Sequence, residues 1–440
     1  MTARDPSSVL LIRAVDAGGT YLSFRWLDDP AYPHVHVVTT PKLRRALARL
    51  DAALIGGDGM DPEEPVRRAL SGPFSRYQSE LAVNEGLSRV ILPAAVTTAL
   101  VEKARVGRVL VRITPSRSLA RVPFELLAVD GETRLIELAD VCFEPPAAVH
   151  LGRARTPGPW TDDLSRRPVL YVVDPLLPAG SGLRQVMVSS SGPRRSQPPG
   201  ARLIRDRMAN RSHTSASGVG AAYDRWDLSE ELRLEPSRLF YFGHVSSTVN
   251  QPGSASIHLT DDGKQWGLAE SVHGAHRPLA ALDLLLGTAR PDLGEGASPH
   301  VGDGIPGHRL WPMPPRVAVI ACEGGVDYRS SETFGLVVAM FSAGAEIVTT
   351  TRWTLPSDVA FSDLAAVDSD VCPTTELALA VDETHMAADP AAALSAWQRS
   401  KLEQWRASPS VANSPLTWAS VGTHVCARRQ ITTAPGEGSR

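Results

Sequence analysis

Cysteine is scarce: Cys142, Cys322, Cys372 and Cys426 are the only four in 440 residues. They stand far apart and form no C-x-x-C pair, which argues against a zinc site and against a disulfide framework, and no cofactor is expected. Lysine is as rare, four of 45 basic residues, and with much alanine and proline this is the composition of a GC-rich bacterial genome. The 48 acidic residues bring the formal net charge to −3, without long runs of one sign. No basic excess exists to neutralise phosphates, so direct nucleic-acid binding is not expected. No apolar run approaches the roughly 18 residues of a membrane span, and no leader pattern opens the chain, so a cytoplasmic protein without a membrane segment is expected. Repeats are lacking too; helical hairpins would show a period of about 34 residues.

The chain does have apolar residues, 43% of the total, enough for a large core and two or three domains. Two stretches concentrate them. Residues 316–325, RVAVIACEGG, form an apolar run without polar alternation, ending in Cys322, an acid and two glycines. Such a run predicts a strand covered on both faces, with the glycines allowing a sharp exit. Cys322 then stands at a strand's carboxyl end, where ligands bind in open parallel sheets. A lone cysteine is more often a small buried hydrophobe. The second stretch, SRLFYFGHVSS at 237–247, has the same shape and ends in Gly243 and His244. Neighbouring parallel strands lie about 4.8 Å apart, which brings imidazole and thiol within reach of each other. A thiol needs such a neighbour, because its free pKa of about 8.5 leaves little thiolate at neutral pH.

These two stretches resemble the CHAT-domain family of caspase-like cysteine peptidases, in a form without tetratricopeptide repeats. Further stretches are similar in order: ITPSRSLARVPFELL (113–127), RPVLYVVDP (167–175), FGLVVAMFSAGAEIVTTTRWTLP (334–356) and SPLTWASVGTHV (414–425). The resemblance covers about residues 92–425 and implies an α/β fold, a caspase-like mostly parallel sheet flanked by helices. It implies a cysteine endopeptidase with His244 as base and Cys322 as nucleophile, the backbone amides of Val245 and Cys322 binding the oxyanion. Val245 departs from the glycine usual after the histidine, yet any non-proline residue offers an amide. Asp174, Glu323 and Trp353 are expected to bind substrate. Caspases place an arginine near the first of these, and an aspartate there would favour a basic side chain. Glu323 opposes thiolate formation unless it meets an arginine such as Arg329 or Arg352. The partners implied are a protein substrate and an activating protein, within a bacterial stress or defence pathway. Two alternatives stay open: a silent caspase-like scaffold for signalling, and a thiol acyltransferase using the same pair.

Along the chain, 1–90 reads as a small α+β unit, a candidate sensor or partner-binding region. It holds two strands around Ala17-Gly18-Gly19, a third strand HVHVV and a helix over 42–55. His34 and His36 share a strand face, a spacing that can bind metal, but exposed strand histidines fit better without a third ligand. A surface helix is expected over 61–77. Residues 91–428 form the peptidase domain, 91–150 being its non-catalytic part and 167–428 its catalytic part. Within the former, Arg121, Phe124 and Glu125 are read as structural, the arginine and glutamate pairing with each other. The loop 178–200 is too polar to bury and offers Arg194 and Arg195 as a self-cleavage site. Helices are expected near 203–208, 228–234, 277–286, 333–345, 374–386 and 390–408, and a hairpin after His244. His273, His276, His300 and His308 lie in Gly/Pro-rich loops and match no ligand spacing. A polar tail, 429–440, is expected to be disordered.

Overall fold

The apolar runs VLYVV, RLFYFG and RVAVIA lack polar alternation because their alternate residues pack into two different cores. In the computed structural model, residues 8–31, 33–56, 63–183, 185–187, 198–212, 218–247, 251, 253–288, 305–321 and 335–426 are described. The strands are β1 (Ser8–Asp16), β2 (Gly19–Trp26), β3 (His34–Thr39), β4 (Val109–Thr114), β5 (Ala128–Asp130), β6 (Thr133–Arg134), β7 (Ala139–Phe143), β8 (Val169–Val173), β9 (Arg238–Gly243), β10 (Val245–Ser246), β11 (Ser256–Ile257), β12 (Leu279–Ala280), β13 (Arg316–Ala321), β14 (Ile347–Thr351) and β15 (Val421–Val425). Leu170, Val172, Leu239, Tyr241, Val317 and Val319 pack on one face of the sheet with helices Arg225–Arg233, Ala281–Leu286 and Leu336–Ser342. Val173, Phe240, Phe242, Ala318 and Ile320 pack on the other with helices Pro199–Ala209, Pro373–Thr384 and Pro390–Ala407. Strands buried on both faces are the mark of an α/β architecture.

Ten strands form one sheet in the order β3-β2-β1-β4-β7-β15-β14-β13-β9-β8. The β1–β2, β2–β3 and β14–β15 pairs are antiparallel and the others parallel. The protein is thus an α/β fold with a large, mostly parallel sheet flanked by helices, as the sequence predicts. The amino-terminal strands do not make a sheet of their own. The free edge of β1 pairs with β4, from Ser8 opposite Val109 to Arg13 opposite Thr114, so β1 to β3 extend the central sheet. Their alternating burial follows from one face meeting solvent.

Three local expectations change. Arg121 pairs with Asp51, while Glu125 accepts two hydrogen bonds of 2.8 Å from Arg352, so Arg121 and Glu125 are structural but not partners. The strand histidines are half-buried: His36 Nε2 meets the Val90 carbonyl at 2.9 Å and His34 packs 6.3 Å from the Phe24 ring. Helices Tyr77–Ile91 and Asp358–Ala365 were not foreseen. The first carries Glu80, whose buried carboxylate takes Arg134 Nη2 at 3.0 Å, Asn84 Nδ2 at 2.7 Å and Trp405 Nε1 at 3.2 Å. Among the described residues no helix is long and apolar enough to cross a membrane.

Candidate functional site

Strands β9 and β13 run parallel and adjacent, from Arg238 opposite Arg316 to Gly243 opposite Ala321. His244 follows Gly243 directly. Cys322, which follows Ala321 in the sequence, lies outside the described residues, as do Glu323, Arg194, Arg195, Arg329 and the tail 429–440. Gly243 is where it is for a steric reason. A Cβ there would stand 2.8 Å from Tyr241 Oη, closer than side chains tolerate. That hydroxyl lies 2.7 Å from the His244 carbonyl oxygen and 2.9 Å from that of His258, clasping the two segments together.

Beyond β9 the chain continues into β10, which pairs antiparallel with β11, Val245 opposite Ile257 and Ser246 opposite Ser256. The His258 amide donates to the His244 carbonyl at 3.1 Å, so His244 and His258 form a hydrogen-bonded pair of this ladder. Alternation along the ladder then makes Val245–Ile257 a non-hydrogen-bonded pair, and the Val245 amide turns away from β11. The Val245 side chain, 5% exposed, packs with Ile257 in the core.

On the other side of β10, His244, Ser246 and His258 share a face. His258 Nε2 lies 2.7 Å from Ser246 Oγ, His258 Nδ1 lies 3.0 Å from His276 Nε2, and His276 Nδ1 lies 2.6 Å from the Asp261 carbonyl oxygen. Ring centroids of His244 and His258 are 6.3 Å apart, edge to face. Burial drives the pKa of His258 down to about 3 and also lowers that of His276, so both rings are neutral. Asp261 is anchored in turn by Arg225, which also donates to the carbonyls of Trp266, Arg277 and Pro278. His258 and Ser246 escaped the sequence reading and His276 was set aside with other loop histidines. The signal was a weak one, the SIHLT alternation, which as a strand paired with HVS puts His258 opposite His244.

Asp174 leaves β8 with φ +49°, a left-handed conformation that aspartate tolerates. It is 1% exposed, and its carboxylate accepts the amides of Val186 at 2.7 Å and Met187 at 2.9 Å. Burial raises its pKa while those amides pull it down. So placed, Asp174 staples residues 185–187 to the sheet. Trp353 is likewise interior, 1% exposed, donating Nε1–H to the Leu416 carbonyl at 2.8 Å and meeting Phe74 edge on. It packs the core where a groove wall was expected. Arg352, suggested as a partner for Glu323, is taken by Glu125 and the carbonyls of Val122 and Val421. Strand β9 also borders a pocket of about 360 Å³, lined by Phe242, Val186, Met187, Asp358, Asp363 and Cys372 among others. Burial pushes the Cys372 thiol up to about 11, and the Asp358 carboxylate is occupied by Thr374 and Thr375. No cluster of three or more His, Cys, Asp or Glu suited to a metal ion occurs among the described residues.

No family model matches the chain, and no curated protein matches its sequence. Among solved structures, it is similar to the Saccharomyces cerevisiae separase–securin complex in crystal structures at 3.0 and 2.6 Å. The TM-scores are 0.42 and 0.41 at 10% and 8% identity, each covering 95% of this chain. The chain spans 30% of the length of the matched chain.

Proposed function

We propose that the chain is a cysteine endopeptidase of the caspase-like kind, with His244 and Cys322 as its dyad. The observation that carries the reading is the β9–β13 register, in which Gly243 and Ala321 are opposite one another. One residue further along each chain come the imidazole and the thiol. Adjacent strands stand about 4.8 Å apart, so Gly243 and Ala321, each one residue before the imidazole or the thiol in the sequence, end their strands side by side.

The chemistry follows from that adjacency. His244 takes the proton from Cys322 Sγ, and the thiolate attacks the peptide carbonyl carbon. The oxyanion is met by backbone amides, for which the outward-turned Val245 N–H is a suitable donor. Collapse expels the amine, which recovers the proton from the His244 imidazolium, and water then hydrolyses the thioester, with His244 again as base. The pocket beside β9 has Asp363 on its wall, an acid suited to a cationic side chain of the substrate. Arg194 or Arg195 is proposed as a self-cleavage site, and an intact chain under conditions where substrate is cut would remove that idea.

The test is the alkylation rate of Cys322 against pH, in wild type and His244→Ala, read on the Cys322 peptide by mass spectrometry. A midpoint well below about 8.5 that rises when His244 is removed is the expected result. A midpoint at or above that value, indifferent to His244, would overturn the dyad and favour the scaffold reading. Peptide cleavage lost in Cys322→Ala then separates a peptidase from an acyltransferase, which would form an acyl-enzyme without proteolysis.

A further inference from the structure

We propose that Ser246, His258 and His276 form a one-directional hydrogen-bond chain whose work is to position the His244 imidazole. The proposal rests on the reading of His244 as the base. Its direction follows from valence once both rings carry a single hydrogen, the form that burial favours. The Asp261 carbonyl can only accept, so His276 Nδ1 carries a hydrogen. In a neutral ring His276 Nε2 is then a lone pair, and His258 Nδ1 must donate to it. His258 Nε2 is left as an acceptor and takes the Ser246 hydroxyl hydrogen. Each polar atom of both buried rings is thereby satisfied in one arrangement, and flipping either ring would face two donors or two acceptors.

The placement gives the chain its object. His258 is the direct cross-strand neighbour of His244, and Ser246 reaches it on the diagonal from two residues beyond His244. A slip of β10 by one residue would carry Ser246 to the opposite face and leave His258 Nε2 unpaired in the interior. The chain therefore locks the register of the segment that bears the base. It also presents an uncharged ring to His244, so the imidazolium formed on taking the thiol proton meets no like charge on that side. The charged groups nearby are accounted for: Arg225 is bonded to Asp261 at 2.9 Å, and the Asp174 carboxylate, which interacts electrostatically with His244, is bonded to Val186 and Met187. His258 and His276 act through His244 and are positioning residues.

His276 tests this best, being one ring removed from His244. His276→Leu can neither accept nor donate, whereas His276→Gln can do both. Two readouts are taken on the full chain: histidine ring resonances by NMR between about pH 8 and 5, and Cys322 alkylation. In wild type the His258 ring should not titrate over this range. In His276→Leu, with circular dichroism unchanged, the His244 resonance should shift and broaden, and alkylation at neutral pH should slow about tenfold. His276→Gln should stay within about threefold of wild type. A folded His276→Leu with wild-type His244 resonances and alkylation would overturn the proposal. If that variant does not fold, Ser246→Ala, which removes only the terminal donor, must shift the His244 resonance, and an unshifted line would overturn it equally. Failure of the peptidase reading looks different: alkylation would ignore His244→Ala while the His244 resonance still responded to His276→Leu.

Discussion

His424 provides a quantitative test of how dry the sheet interior is. The ring lies on β15, 6% exposed, 5.4 Å from the Phe143 ring. Burial, and secondarily the Arg352 charge, lower its pKa from 6.5 to about 3. The folded value is below the unfolded one, so the unfolded chain takes up a proton first as the pH falls. The contribution is fully present above about pH 6.5 and is lost progressively towards pH 3. Each pKa unit is about 1.4 kcal/mol, so the linked loss is roughly 0.8 kcal/mol at about pH 6 and roughly 2 kcal/mol at about pH 5. Stabilities of folded proteins are about 5–15 kcal/mol, so a term of this size is measurable. Urea unfolding followed by tryptophan fluorescence at about pH 7.5, 6 and 5 would be compared between wild type and His424→Gln, which cannot titrate. The difference in stability between the two should move by about 2 kcal/mol over the range, wild type losing more on acidification. Parallel pH slopes, or a His424 ring titrating near 6.5 by NMR, would refute the reasoning, because the ring would then be hydrated in the folded state.

Other perturbations follow from the same contacts. Glu80→Ala strands the Arg134 guanidinium, both groups being fully buried, and should cost about 3–5 kcal/mol in denaturant unfolding, while joint replacement by Met at both positions should cost much less. Gly243→Ala drives a methyl against Tyr241 Oη and should cost about 1–3 kcal/mol and slow Cys322 alkylation; Gly243→Ala with Tyr241→Phe should recover part of the stability, and strict additivity of the two would count against the steric account. Asp174→Ala leaves the Val186 and Met187 amides without their acceptor and should cost about 1–3 kcal/mol for each buried donor left unpaired. Protease nicking after residues 185–187 should then accelerate; an unchanged nicking rate would show that the staple does not hold that segment.

The strands carrying the proposed dyad were legible because their runs are apolar on both faces, which only a sheet covered by helices on each side explains. Parallel pairing of β9 with β13 agrees with the helix expected near 277–286 between them, since parallel neighbours need a crossover connection. The helix over Pro390–Ala407 was expected near 390–408 and is found there. Pairings between distant polar residues were not. Arg121 and Glu125 are near in sequence, yet their partners, Asp51 and Arg352, come from other elements, since charge matching carries no information on distance along the chain. Trp353 and Asp174 were expected to bind substrate, and the folded chain buries both side chains.

The chain's own order of residues therefore determined that this is an α/β protein with His244 and Cys322 each following a buried strand. Local periodicity and strand-end residues suffice for that. What only the tertiary structure decided is the company His244 keeps: the β10–β11 ladder that turns the Val245 amide outward, and the Ser246–His258–His276 chain beside it. Those contacts depend on cross-strand register and on burial strong enough to keep two imidazoles neutral. Both are properties of packing, which no single segment encodes.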